Sequence, residues 1–438
     1  MSAPRDLVAT LRERGLVHQV TDESLGALSG RESLVLYNGF DPTAPSLHAG
    51  SLYPVMILAH AARAGHRPVA LIGGGTGLVG DPSGREAERP LADREQVRAQ
   101  VEGMGAQIGR LLAASGIETA VVDNAEWLAG AGLMEFLRDV GKHFSVNAMM
   151  AKDSIRTRLE DREQGISFTE FSYMLLQAYD FYRLWKDRGC RLQTGGSDQW
   201  GNITAGIELI RRKEGGEAFG LTCPLLLTPD GKKFGKSAGN AVWLDAARTS
   251  PYRFYQFWMN QEDGAASNLL APYTFLPMEE VGAVRAAAAA APEKRVAQRR
   301  LAAEVTSFVH GKDAAARAEK ASRVLFGEGS LRDLDAATLE EVFAEVPGLT
   351  RPRSAVIGPP AALRELFLAP ELNLVPSAGE YWRQVDQGAL YLNGERVPKP
   401  SERKKDAPID PSALIEGRIL VLRRGKRDYA IVRVTDAG

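Results

Sequence analysis

The sequence predicts an α/β protein: a mainly parallel sheet wrapped by helices, then a helical segment, then a small α+β module. Three observations carry this. From residue 34 to about 215, short apolar runs alternate with amphipathic helical patterns, as strand–helix–strand units do. From about 250 helical patterns dominate, and from about 362 short strands and turn residues replace them.

The elements follow in order. Leu34–Phe40 reads as a strand and 50–64 as a helix; Pro68–Ile72 is a strand and 93–115 a long amphipathic helix. Glu118–Asp123 is a strand, 133–144 and 171–186 are helices, Arg191–Thr194 is a short strand, and 199–213 a helix. Sheets of this kind bind ligands beyond the carboxyl ends of their strands, so motifs in the loops after strands weigh most. Later, Ala286–Ala291 and 312–323 are helical, and Thr350-Arg-Pro-Arg with Gly358-Pro-Pro marks a linker. Tyr391–Val397 contains an Asn-Gly turn, and Arg418–Val434 is two strands joined by a basic turn.

Composition narrows the class. At 438 residues the chain should form two to four domains, on a scale of roughly 100–200 residues each. An apolar share of 44% and a charged share of 25% are those of ordinary globular proteins. A net charge of −1 announces no nucleic acid, although a local basic patch would suffice for RNA. Two cysteines, Cys190 and Cys223, build neither a disulfide framework nor a four-cysteine zinc site, and idle thiols suit a reducing compartment. Charges at Arg5, Asp6, Arg12, Glu13 and Arg14 exclude a signal-peptide apolar region. No run reaches the ~20 apolar residues of a membrane span. A cytoplasmic protein without membrane contact is expected.

Two glycine-rich stretches mislead. Gly75-Thr-Gly-Leu-Val-Gly80 matches the dinucleotide fingerprint, but Asp81-Pro-Ser-Gly84 follows at once, which is turn chemistry and not a helix start. Gly231-Lys-Lys-Phe-Gly-Lys-Ser237 has three residues between its glycines where a P-loop has four. What remains over Thr228–Asn240 is a glycine- and lysine-containing loop. Lys233 and Lys236 flank Gly235 and could close on a triphosphate, a solvated hairpin tip being the plainer alternative. His48, in Pro45-Ser-Leu-His-Ala-Gly-Ser-Leu52, stands at a helix start. There it is either a capping residue or, with the Thr43 hydroxyl, a donor to phosphate at a helix N-terminus.

Together, the His-x-Gly helix start and the Lys-Phe-Gly-Lys-Ser loop resemble the two signatures of class I aminoacyl-tRNA synthetases. Tyr37-Asn-Gly-Phe-Asp-Pro-Thr43, Gly80–Gly84, Phe168–Asp180 and Gly195-Gly-Ser-Asp-Gln-Trp-Gly-Asn202 sharpen this to a resemblance to the bacterial tyrosyl-tRNA synthetases over nearly the whole chain. The segment around Tyr391–Val397 resembles the S4 RNA-binding module that ends that family's chain. The resemblance implies a Rossmann-like parallel-sheet catalytic domain over 1–224 and a mobile lysine loop and linker over 225–249. An α-helical tRNA-binding domain over 250–350 and an S4-like RNA-binding domain over 362–438 would follow. It implies a ligase that joins L-tyrosine to ATP, releases pyrophosphate, and passes tyrosyl to the 3′ end of tRNA(Tyr). The protein would be a homodimer, with Mg2+ accompanying ATP, no tightly bound cofactor, and no protein metal cage.

Residue roles follow from the same resemblance. Thr43 and His48 would contact the polyphosphate, joined by Lys233 and Lys236, with Arg85 and Arg89 as pyrophosphate candidates. On the ATP side stand Asn38 and Gly39 near the ribose, with Asp41, Gly50, Ser51 and Asp198. Gln199 would meet the carboxylate or α-phosphate. Tyr37 and Asp180 would face the phenol hydroxyl, and Asp81, Tyr173 and Gln177 the α-ammonium. Tyr173, Gln177 and Asp180, at i, i+4 and i+7, share one helix face on spacing alone. Burying such a trio in a mere core would be costly. Lys312, Arg317, Lys320 and Arg323 could contact tRNA phosphates, as could Arg423, Arg424, Lys426 and Arg427 at the basic turn. The tryptophanyl relatives are disfavoured because indole offers no hydroxyl to Tyr37 and Asp180. An inactive RNA-binding paralogue is disfavoured by intact His48, Lys233, Lys236 and Asp81. Ser51 departs from the family, which commonly carries a second histidine there; a weaker or water-mediated ATP contact is expected.

Overall fold

The computed structural model describes residues 4–83, 92–114, 116–152, 155–156, 166–226, 234–237, 240–399 and 408–436. The chain forms two compact units, Met1–Thr249 with Phe257–Val309, and Ser250–Gln256 with His310–Gly438.

The first unit is built on six strands: β1 (Gln19–Val20), β2 (Val35–Phe40), β3 (Arg67–Ile72), β4 (Ala120–Asp123), β5 (Cys190–Gly196) and β6 (Phe219–Cys223). Their order is β1-β6-β5-β2-β3-β4. All neighbours are parallel except β1, which runs antiparallel to β6. Two strands escape a reading by alternation. β1 has only two residues, and β6 is buried along its whole length, so it shows no polar face. The helices Leu52–Arg63 and Arg94–Ala114 make the crossovers from β2 to β3 and from β3 to β4. The chain then returns through Phe168–Arg188 to lay β5 against the other side of β2, and Trp200–Glu214 leads on to β6. The order therefore reverses between β2 and β5, and a crevice opens beyond their carboxyl ends. The expected helix 133–144 is instead Leu133–Asp139 and a separate turn at Gly141–His143.

The expected helical domain over 250–350 is divided between the units. Phe257–Val309 belongs with the parallel sheet. Tyr273 packs on Tyr53, Phe275 on His60 and Arg63, and the Arg14 guanidinium donates to the carbonyls of Ala271, Thr274 and Leu276. The Lys312–Leu325 helix instead buries Ala321 and Val324 with Leu339, Phe343, Ile419 and Ile431 of the second unit. Shared apolar cores, not helix content, set the boundary.

The second unit carries β9 (Gly348–Pro352), β10 (Leu390–Leu392), β11 (Glu395–Arg396), β12 (Ile419–Arg424) and β13 (Asp428–Thr435), in the order β11-β10-β12-β13-β9. Part of the expected linker is thus an edge strand: β9 pairs in parallel with β13 and ends at Pro352, which has no N–H to continue a ladder. Asn393 (φ 50°) and Gly394 (φ 87°) form the hairpin turn. The Asn393 side chain is buried, donating to Ala413 O at 2.6 Å and accepting from Val421 N at 2.9 Å. Among the described residues no helix is long and apolar enough to cross a membrane.

Candidate active site

A cleft of about 360 Å³ opens at the carboxyl ends of β2 and β5, where the strand order reverses. It is lined by Tyr37, Asn38, Gly39, Asp41, Thr43, His48, Gly50, Ser51, Asp81, Tyr173, Gln177, Asp180, Asp198 and Gln199. Fourteen residues singled out in the sequence therefore share one cavity. Arg85, Arg89 and Lys233 lie outside the described residues. For Lys236 the backbone alone is described: it begins β7 (Lys236–Ser237), which pairs with β8 (Asn240–Ala241).

The floor is polar and buried. Tyr37, at the centre of β2, is fully buried, and its hydroxyl has no hydrogen-bond partner among the described residues. Asp180 is buried too. Its Oδ1 accepts from Trp127 Nε1 at 2.7 Å and its Oδ2 from Asn124 Nδ2 at 2.9 Å. Burial outweighs these two donors, and the carboxylates of Asp41 and Asp123 add to it, so the Asp180 carboxyl is pushed up to about 7. Burial, then the Asp180 charge, holds the Tyr37 phenol well above its ordinary range.

Asn124 and Trp127 escaped the sequence reading, although they follow a strand end, where ligand groups belong. Asn124 also donates to Thr76 Oγ1 at 3.0 Å and accepts from Gly75 N at 2.8 Å. Asp123 accepts from Gly74 N at 3.0 Å, and a Cβ at Gly74 would fall 2.2 Å from that carboxylate. The glycines after β3 let the backbone close onto the end of β4. That turn then carries Thr76 to Asp41 (3.1 Å), while Tyr173 OH donates to the other oxygen of Asp41 at 3.0 Å. Burial, with Asp41 nearby, keeps the Tyr173 phenol protonated.

A chain of amides runs along one wall. Gln199 Nε2 donates to Asp81 Oδ2 at 2.7 Å; a carboxylate only accepts, so this bond orients the Gln199 amide. Gln177 Nε2 then donates to Gln199 Oε1 at 3.1 Å, and Asn202 Nδ2 to Gln177 Oε1 at 2.9 Å. The amide of Gln199 thus stands with Asp81 and Gln177 in the set expected for an ammonium. Asn202 and Gln193 were not singled out in the sequence; Gln193 lines the cleft with its Oε1 buried and unpartnered among the described residues.

The opposite end carries His48. It caps the turn Ala49–Ser51 that opens the Leu52–Arg63 helix. Its Nδ1 accepts from Gly50 N at 3.1 Å, which leaves the ring proton on Nε2. Ser51 Oγ accepts from His48 N at 3.3 Å, completing a capping box. The serine that replaces the expected histidine therefore serves the helix end. The residues leaving the lysine loop pair with this segment: Ala49 N donates to Val242 O and Leu244 N to Leu47 O, both at 2.8 Å. Gly50 meets Phe234 and Gly235 backbone to backbone, since a Cβ at Gly50 would fall 2.4 Å from Phe234 O. Gly235 itself has φ 79°. Phe234 is anchored among Phe257, Trp258 and Tyr273. Phe234 and Gly235, which separate the two lysines in the sequence, are thus held against Gly50.

In the second unit, Lys426 and Arg427 are exposed at the β12–β13 turn. Their neighbours are committed: Arg424 pairs with Asp428 at 2.6 Å and donates to Leu374 O, and Arg423 stacks 3.9 Å from the Tyr391 ring centroid. Arg323 pairs with Glu328, and Lys320 bonds Asp333 O; Lys312 and Arg317 are exposed.

Residues 29–327 match the family described as tRNA synthetases class I (W and Y), and 339–432 match the tyrosine–tRNA ligase SYY-like C-terminal domain. The chain is 49% identical over 426 residues to a tyrosine–tRNA ligase of Roseiflexus castenholzii, covering 97% of this chain and 98% of that one. It is 47% identical over 432 residues to that of Geobacillus stearothermophilus, covering 98% and 99%. A C-terminally truncated mitochondrial tyrosyl-tRNA synthetase from Aspergillus nidulans superposes with a TM-score of 0.67 at 33% identity, covering 73% of this chain and 94% of that one.

Proposed function

The chain belongs to the tyrosine–tRNA ligases, within the class I tRNA synthetases, and from that premise we propose that it activates L-tyrosine with ATP and passes the tyrosyl group to the 3′ end of tRNA(Tyr). The observation that carries tyrosine is the juxtaposition at the cleft floor: a buried Tyr37 hydroxyl without a partner among the described residues, beside an Asp180 carboxyl raised to about 7. A substrate phenol donating to Asp180 and accepting from Tyr37 satisfies both. Phenylalanine would leave the Tyr37 hydroxyl unpaired and bring Asp180 no donor, a penalty for which the tyrosyl enzymes are themselves the standard instance. Asp81, with Gln177 and Tyr173 beside it, suits the α-ammonium.

The substrate carboxylate arrives ionised, so it attacks the α-phosphorus without a general base. Its oxygen–phosphorus bond forms as the bond to the β-phosphate breaks, and pyrophosphate leaves with the electron pair. Orientation and charge neutralisation do the rest. His48 Nε2–H and Thr43 donate to phosphate oxygens, and Lys233, Lys236, Arg85 and Arg89 supply positive charge. Asn38, Gly39 and Asp198 face the ribose. Magnesium would come on the triphosphate, since it keeps phosphate oxygens and waters with only one or two carboxylates. Among the described residues no three metal-ligating side chains converge, and Asp41, Asp81 and Asp198 line the cleft as separate carboxylates.

A homodimer is supported by six exposed apolar side chains, Leu133, Met134, Leu137, Val146, Met150 and Phe168, on three helices between 133 and 188. Lys426 and Arg427 suit RNA phosphate at an S4-like module. A cytoplasmic site fits two buried free thiols.

The test is ATP–pyrophosphate exchange with each amino acid supplied in turn, followed by tRNA charging. Exchange with tyrosine alone is expected; none with tyrosine, or equal exchange with phenylalanine, refutes the reading.

A further inference from the structure

We infer that Gln107 is a positioning residue for His48, holding from a separate helix the backbone that aims the imidazole. The inference rests on the phosphate role given to His48 above. Gln107 stands on the Arg94–Ala114 helix, sixty residues from the segment it holds. Its Oε1 accepts from Leu47 N at 2.9 Å, and its Nε2 donates to Ser46 Oγ at 2.9 Å. Ser46 and Leu47 are 1% and 2% exposed, so water is no substitute partner.

The surrounding bonds show what Gln107 adds. His48 N is taken by Ser51, and Ala49 N by Val242 O. Leu47 N is served from the helix, by Gln107. Residues 47–49 are therefore held between an isolated bridge to the segment around Trp243 and one amide on the other side. A bridge of two hydrogen bonds can still twist about its own axis; a bond from an independent helix removes that freedom. The ring has little freedom of its own, because Nδ1 is tied to Gly50 two residues on. The direction of Nε2–H therefore follows the backbone at Leu47–His48.

The residue type points the same way. Met104, Ile108 and Leu111 are the buried positions of this stretch of helix. Leucine at 107 would extend that apolar face and keep helix propensity. An amide there is explained by the two groups it bonds.

The test is tyrosine-dependent ATP–pyrophosphate exchange by the full chain, Gln107→Leu, His48→Ala and the double variant. Tyrosine affinity is measured separately by equilibrium dialysis. Gln107→Leu is expected to lower the exchange kcat about 10- to 100-fold, the scale of a misplaced reacting group, with tyrosine affinity within about twofold. In the His48→Ala background it should cost no more than about twofold further. An unchanged kcat, or the same factor lost in both backgrounds, overturns the inference. Should Gln107→Leu not fold, Ser46→Ala removes the second anchor; a loss of about threefold or more that vanishes in the His48→Ala background supports the inference, and an equal loss in both overturns it. A parent chain without exchange would overturn the functional reading as well, whereas exchange with equal losses overturns this inference alone.

Discussion

Replacing Asp180 by asparagine separates the stability of the cleft from its function. The folded Asp180 carboxyl titrates at about 7 against an ordinary 3.8. Folding therefore favours its protonated form. Its contribution to stability is full below about pH 3.8 and is lost as pH rises to about 7, at about 1.4 kcal/mol per unit. The whole loss is about 4 kcal/mol, of which about 2 kcal/mol falls between about pH 5 and pH 7. The amide of Asp180→Asn cannot titrate, so this slope should vanish. Its oxygen still accepts from Trp127 Nε1, but its NH2 then faces Asn124 Nδ2. Asn124 cannot turn over without giving up its bond from Gly75 N. That donor conflict costs about 1–3 kcal/mol at every pH. Absolute stability is thus a poor test, and the difference in pH dependence between parent and variant is a clean one. Denaturant titrations of both at the two pH values should differ in slope by about 2 kcal/mol. For function, losing a charge-assisted acceptor for the phenol should lower kcat/KM for tyrosine at least about 10-fold. Parallel pH dependences would refute the buried-carboxylate argument, and an unchanged tyrosine affinity would remove Asp180 from the substrate.

Three further outcomes are expected. Gly50→Ala puts a Cβ 2.4 Å from Phe234 O and should displace the Phe234–Gly235 anchor. The exchange kcat should fall about 100-fold with tyrosine affinity retained, as steady-state exchange and dialysis would show. Ser51→Ala removes the acceptor for His48 N and should cost about 1 kcal/mol in thermal unfolding, while Ser51→His sacrifices the same cap and should lower exchange. His60 is buried, and burial, then nearby Arg14, lowers it to about 3 from 6.5. Its neutral form is favoured by folding, so stability is full above about pH 6.5 and falls at about 1.4 kcal/mol per unit below it; His60→Leu should flatten acid denaturation over that range.

The parallel sheet, the two signatures and the Tyr173–Gln177–Asp180 face were legible in the sequence because each is a local pattern. Apolar runs spaced by amphipathic helices need no partner to be recognised, and residues at i, i+4 and i+7 meet wherever the helix forms. Other features were hidden for a definite reason. The partners of Asp180 lie 53 and 56 residues away, the partner of Asn38 lies 156 away, and Asp81 meets Gln199 across 118 residues. β9 carries prolines at its border and reads as a linker until β13 is laid beside it.

By itself, then, the sequence determined the alternation of elements, the family resemblance and the inventory of chemical groups. Tertiary structure alone decided what each group does: that Ser51 caps His48, that Phe234 and Gly235 close onto Gly50, that Gln107 holds Leu47, and where one compact unit gives way to the next. The physical reason is that these are bonds and contacts between segments far apart in the chain. Their partners are chosen by strand order and shared cores, which no local pattern records.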